Sequence, residues 1–113
     1  MNALAHLVTC LSASGFAHSF GSYEELVADP QVDVVYIGTL HISHFEHTVL
    51  ALNHGKHVLV EKPMAMNSKQ ASQAVALAKE KKLFLMEGMV AWLSNCRRIV
   101  IQRLTVVVVV HQL

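Results

Sequence analysis

The sequence predicts an α/β chain, an incomplete doubly wound parallel sheet lacking the first strands and the Gly-rich turn. Three observations carry that fold class. Residues 32–37 and 57–60 are β-branched, nearly continuous apolar runs, the pattern of strands covered on both faces. A stretch with helical periodicity, residues 41–54, lies between them and is long enough for the crossover that parallel neighbours need. Glu61-Lys62-Pro63 then follows the second run, at the carboxyl end where open α/β sheets carry their working residues.

The elements follow in order. Residues 1–16 are small, apolar and irregular, and Ser12, Ser14 and Gly15 interrupt any long helix there. Residues 17–20 can form a short strand. Ser22 then caps a short helix, with Glu25 three residues on to complete a capping box and Pro30 to end it. The strand at 32–37 stops at Gly38-Thr39. In the helix over 41–54, Ile42, Phe45, Val49 and Leu52 share one face, and Gly55 is placed as its cap. Strand 57–60 comes next. Asn67 or Ser68 caps a helix running to about Lys82, whose Ala71, Ala74, Val75 and Ala78 form a face of small residues that can lie close on a sheet. Residues 83–86 form a further buried strand ending at Glu87-Gly88. After Met89 the alternation stops: residues 92–110 hold Arg97-Arg98 and five consecutive valines, with no capped helix and no internal repeat.

Composition narrows the function classes. The 113 residues, 53% hydrophobic, suit one small domain. A formal net charge of +1 leaves no electrostatic footprint for nucleic acid. A charged fraction of 15% is low for a soluble domain and predicts apolar surface that takes a partner. Cys10 and Cys96 are far apart and in no metal-binding spacing, as expected of free thiols in a reducing, cytoplasmic setting. Residues 3–13 are apolar but lack a basic start and are broken by His6, so no secretory leader is expected, and no run approaches a membrane span. The five methionines suit core filling.

Lys62 is the first candidate site residue. An ammonium at a strand's carboxyl end can hydrogen-bond substrate and ribose hydroxyls and steer a proton; the position equally fits a solvated lysine. Gly38-Thr39-Leu40-His41 is the second candidate, since glycine lets main chain approach a ligand and Thr39 offers a hydroxyl at the rim. His41 and His44 lie at the start of the following helix, where anionic groups are favoured; they also fit an exposed capping turn. Tyr36 is expected in the core with its hydroxyl reaching the rim, and Glu61 can orient Lys62 or stand exposed. Glu87 lies at the same edge and reads as structural. His41, His44 and His47 are spaced so that only neighbouring pairs share a face, with no supporting carboxylate or cysteine, so no metal site is expected. His54 and His57 flank a turn and read as solvated.

Four segments carry a resemblance: Gly21-Ser22-Tyr23-Glu24-Glu25-Leu26, Val34-Val35-Tyr36-Ile37-Gly38-Thr39-Leu40-His41, Gly55-Lys56-His57-Val58-Leu59-Val60-Glu61-Lys62-Pro63 and Phe84-Leu85-Met86-Glu87-Gly88-Met89. In this order and near this spacing they resemble the glucose–fructose oxidoreductase/inositol dehydrogenase (Gfo/Idh/MocA) family. The resemblance implies residues 1–16 as a divergent N-terminal segment, 17–89 as a partial Rossmann dinucleotide-binding domain and 90–113 as a divergent tail, with the family's C-terminal substrate domain absent. It implies an NADP-dependent oxidoreductase moving hydride to or from a trans-dihydrodiol or an aldose such as D-xylose. Lys62 matches the family lysine beside the nicotinamide. Gly38 and Thr39 match the loop under the dinucleotide, and His41 and His44 match coenzyme-binding histidines. Tyr36, Glu61 and Pro63 complete the implied cofactor-binding set. The family's dimers imply a homo-oligomer, while neither nucleic acid nor membrane is an implied partner.

The departures from the family set further expectations. The family's first strand, its glycine-rich turn and its phosphate-selecting basic residue have no counterpart here. After Met89, Val90-Ala91-Trp92-Leu93 replaces the family's continuation. The chain therefore reads as a truncated form with little or no turnover. The alternatives are a non-catalytic module pairing with a full-length subunit, or a non-functional transcript product. The missing first strand would lie beside residues 32–37, leaving an unpaired edge prone to aggregation; either residues 3–12 or the tract 106–110 can fill it. That tract also has the composition of an aggregation hot spot.

Overall fold

The computed structural model describes residues 20–88 and the strand at 106–109. Helix α1 (Tyr23–Ala28) leads to strand β1 (Val34–Ile37). A 3-10 turn (His41–Ser43) and helix α2 (His44–Asn53) lead to strand β2 (His57–Glu61). Helix α3 (Ser68–Glu80) leads to strand β3 (Leu85–Gly88), and strand β4 (Val106–Val109) completes the set. All pairings are parallel, in the spatial order β3-β2-β1-β4. The expected strand at 17–20 lies outside the described residues except for Phe20, which is not in a strand.

The local signals work as the chemistry requires. The Ser22 side chain accepts from the Glu25 amide at 3.2 Å, while the Glu25 carboxylate returns to the Gly21 amide at 2.9 Å. Asn67, not Ser68, caps α3, accepting from the Gln70 amide at 2.9 Å. Leu26, Val27, Val32, Val35, Ile37, Ala51, Leu52, Val58, Val60 and Ala78 form the core. Ala74 and Ala78 are the buried residues of α3, and α3 packs on α2. Of the two segments able to cover the outer edge of β1, the structure uses the valine tract: Val106 to Val109 pair in parallel with Val34 to Ile37.

Three expectations need correcting. The buried face of α2 is His44, Thr48, Ala51 and Leu52, while Ile42 sits in the 3-10 turn and is 63% exposed. Leu52 is buried as expected, but the apolar period passed over His44, Thr48 and Ala51, whose small or polar side chains carry no hydropathy signal. Among the described residues the Thr48 hydroxyl is buried without a hydrogen-bond partner. The third strand begins at Leu85 rather than Leu83, because the Lys82 and Leu83 amides turn back to close α3 on Lys79 O and Ala78 O. Strand β2 is buried on one face only: Val58 and Val60 are inside, with Leu59 half-buried.

Candidate active site

The parallel sheet sends the ends of β1 and β2 to one rim, with β1 and β2 in register from Val34↔His57 to Ile37↔Val60. Gly38-Thr39 and Lys62-Pro63 therefore leave the sheet side by side. The Lys62–Pro63 peptide is cis. Lys62 is exposed, and among the described residues its ammonium has no partner.

The main chain around Lys62 is fixed at several points. The Tyr36 hydroxyl donates to Glu61 Oε1 at 2.9 Å, and Glu61 Oε2 accepts weakly from the Lys62 amide at 3.3 Å. Glu87, at the rim end of β3, accepts the Met64 amide at 2.6 Å. His44 lies 2.7 Å from Pro63 O through Nδ1 and 2.9 Å from Thr39 O through Nε2. Thr39 Oγ1 lies 3.1 Å from His47 Nδ1, and the His47 ring sits tilted against Tyr23 at 4.5 Å.

Gly38 makes the Tyr36 contact possible. A Cβ on Gly38 would lie 3.1 Å from Tyr36 Cε1, where the ring passes toward Glu61. Burial, then the hydrogen bond to Glu61 and its negative charge, push the Tyr36 phenol up to about 12. It is a donor, not an acid, near neutral pH, and it fixes the carboxylate next to Lys62.

The sequence-derived residues thus converge on one rim: Tyr36, Gly38, Thr39, Glu61, Lys62 and Pro63, with His41 exposed beside them and His44 buried beneath. Glu87 takes the structural part expected of it at this edge, holding the Lys62-Pro63-Met64 turn. One contributor was missed. His47 was weighed only as a metal ligand, and its spacing of eight from Thr39 gives no sequence cue to their contact. No cluster able to hold a metal ion occurs among the described residues. No described helix is long and apolar enough to cross a membrane.

Known proteins resemble this chain over part of their length. The chain is 56% identical over 72 residues to the D-xylose 1-dehydrogenase (NADP(+)) of Hypocrea jecorina, covering 64% of this chain and 18% of that protein. It is 44% identical over 85 residues to the trans-1,2-dihydrobenzene-1,2-diol dehydrogenase of Danio rerio, covering 75% of this chain and 25% of that protein. The chain therefore spans a quarter or less of the length of these relatives. Among solved structures, an NAD binding oxidoreductase from Klebsiella pneumoniae superposes with a TM-score of 0.72 at 34% identity, over 75% of this chain and 23% of its own. The biliverdin reductase of Synechocystis sp. PCC 6803, solved with biliverdin and NADP+, superposes with a TM-score of 0.71 at 28% identity, over 86% of this chain and 32% of its own. Residues 5–89 match the oxidoreductase family with the NAD-binding Rossmann fold, and the chain belongs to that family, Gfo/Idh/MocA.

Proposed function

We propose that the rim formed by Gly38-Thr39 and Glu61-Lys62-Pro63 receives the nicotinamide end of NADP, in an oxidoreductase acting on the carbinol carbon of a trans-dihydrodiol or an aldose such as D-xylose. The single observation that carries this reading is the Lys62 ammonium, without a partner among the described residues, on a turn held from several sides. NADP is favoured by the xylose dehydrogenase relative, whose name specifies it. The donor set fits such a group: a cationic amine, the Thr39 hydroxyl and main chain at Gly38 share one edge of the sheet. Bound there, the nicotinamide supplies or takes up hydride.

The chain's own residues supply the surroundings. Lys62 holds a substrate or ribose hydroxyl and moves its proton through Nζ. Glu61, fixed by Tyr36, aligns the Lys62 main chain. The Gly38-Thr39 loop lies under the nucleotide, with His41 exposed at its border. No G-x-G-x-x-G occurs in the 113 residues, so the pyrophosphate finds no ready row of amides. Weak coenzyme binding and little turnover by this chain alone follow. The same reading places it in the cytoplasm, with its cysteines reduced.

The test is titration of the 15N-labelled chain with NADPH, alongside absorbance assays with NADP and D-xylose. Shifts centred on Gly38, Thr39 and Lys62 are expected, with slow or no reduction of NADP. Shifts confined to other residues, or none at millimolar coenzyme, refute the site; brisk turnover refutes the low-activity reading.

A second reading is a contact module that joins a full-length subunit. It is favoured by β3 at the end of the described sheet, with Phe84 beside it 56% exposed. Co-purification with a full-length relative supports it, and a stable monomer under the same conditions counts against it.

A further inference from the structure

We infer that His44 is a positioning residue, a strap that holds the Thr39 loop and the Lys62-Pro63 turn together through their carbonyls rather than by touching coenzyme. This rests on the coenzyme reading of the rim above, but its geometry stands apart from it. His44 opens α2, the crossover between β1 and β2, and is 2% exposed. Its two ring nitrogens lie 2.7 Å from Pro63 O and 2.9 Å from Thr39 O. Those two oxygens are 24 residues apart in sequence and belong to the two loops that flank the proposed nicotinamide site.

A carbonyl oxygen only accepts, so each contact needs an N–H from the ring, and holding both loops at once takes the imidazolium form, since a neutral ring has one N–H. With both nitrogens turned to main chain, His44 cannot offer one to a ligand without releasing a loop. The ring is also the part of α2 that reaches both loops. The Thr48 hydroxyl, one turn on, makes no hydrogen bond among the described residues, and Thr39 Oγ1 is held separately by His47. The strand register brings the two loops to one rim, and the strap then fixes their spacing there.

The test uses the purified chain with His44→Phe, which keeps a buried ring and removes both donors. The amides of Leu40 and Met64 share peptide bonds with the two carbonyls, so their NMR signals report each bond. In His44→Phe both signals are expected to move, and exchange at residues 38–40 and 62–64 to quicken by about tenfold, as loss of a net hydrogen bond allows. Val58 and Val60 should stay protected, and NADPH affinity should fall by about tenfold. His44→Gln, with one amide group, should restore one loop and leave the other loose. Unchanged signals in His44→Phe, or a shift at one loop only, overturn the strap. Loosened loops with unchanged NADPH affinity overturn its positioning role. If neither variant folds, His44 is a core residue and the inference fails. If the parent chain binds no NADPH, the coenzyme reading fails while the loop signals still decide the strap.

Discussion

The two rims of the sheet use the same kinds of side chain to opposite ends. Strand β2 carries a lysine at each end. At the amino rim Lys56 is buried, and its ammonium donates to Asp29 O and Val32 O, both at 2.7 Å. At the carboxyl rim Lys62 is exposed, with no partner among the described residues. Histidines divide likewise. His57 Nδ1 accepts the Phe84 amide at 2.9 Å and ties β3 to β2, while His44 engages the loops beside Lys62. At the amino rim the lysine and the histidine both bond main chain of the sheet and its turns, which stabilises the fold. At the carboxyl rim His44 bonds main chain of the two loops, while the Lys62 ammonium has no partner among the described residues.

Exchanging each lysine for methionine breaks this comparison most directly. Lys56→Met keeps the buried stem but leaves two carbonyls without their charged donor, which costs about 3 kcal/mol. For a chain of this size, that is a large part of the net stability. The midpoint of thermal unfolding should fall by roughly 10 °C or more. Lys62→Met should change stability by less than about 0.5 kcal/mol, as surface substitutions do, while removing the NADPH-dependent shifts at Gly38 and Thr39. Calorimetry and NMR titration of the two variants check both halves. Equal losses of stability would erase the distinction between the rims.

The Tyr36–Glu61 pair sharpens it through pH. The phenol's folded value of about 12 lies above the ordinary 10.0. Between those values the folded chain keeps a proton that the unfolded chain has lost, so this contribution is whole below pH 10 and declines as pH rises toward 12. The group is only half-buried, so the slope is shallow. Tyr36→Phe should flatten it, measured as denaturation midpoints from pH 9 to 12. An unchanged slope would mean that neither burial nor Glu61 raises the phenol. The same variant frees Glu61, so the Lys62 amide signal should move as well.

Much of this rim was readable before the fold. The β-branched runs fix β1 and β2, and parallel pairing then forces Gly38 and Lys62 to a common edge. What could not be read is hydrogen bonding between segments. His44 and Thr48 interrupt the apolar period of α2, so the pattern pointed to Ile42 and Phe45 instead. Lys56 looks like any turn lysine until α1 is packed beneath it. The Glu87 grip on Met64 needs the β2–β3 register, Val58↔Leu85 to Glu61↔Gly88, which no local signal sets.

The start of β3 was misread for a related reason, and it yields the smallest effect. Helices α2 and α3 close in the same way at the amino rim. Gly55 N bonds to Leu52 O at 3.1 Å and Lys56 N to Ala51 O at 3.0 Å; Lys82 N bonds to Lys79 O at 3.1 Å and Leu83 N to Ala78 O at 2.9 Å. This is the paired turn that favours a left-handed residue after the last helical turn. Gly55 takes it at φ 75, whereas Lys82 takes it at φ 56 against the preference of a residue with a Cβ. The helix was expected to end at about Lys82, as it does, but without a glycine there the turn that delays β3 to Leu85 had no cue. Lys82→Gly should therefore stabilise the chain by about 0.5 kcal/mol, the relief of strain being partly offset by a freer unfolded chain. Gly55→Lys should destabilise it by about 1 kcal/mol. Chemical denaturation of the two variants should give changes of opposite sign at these matching positions, and a shared sign would show that the two turns are not equivalent.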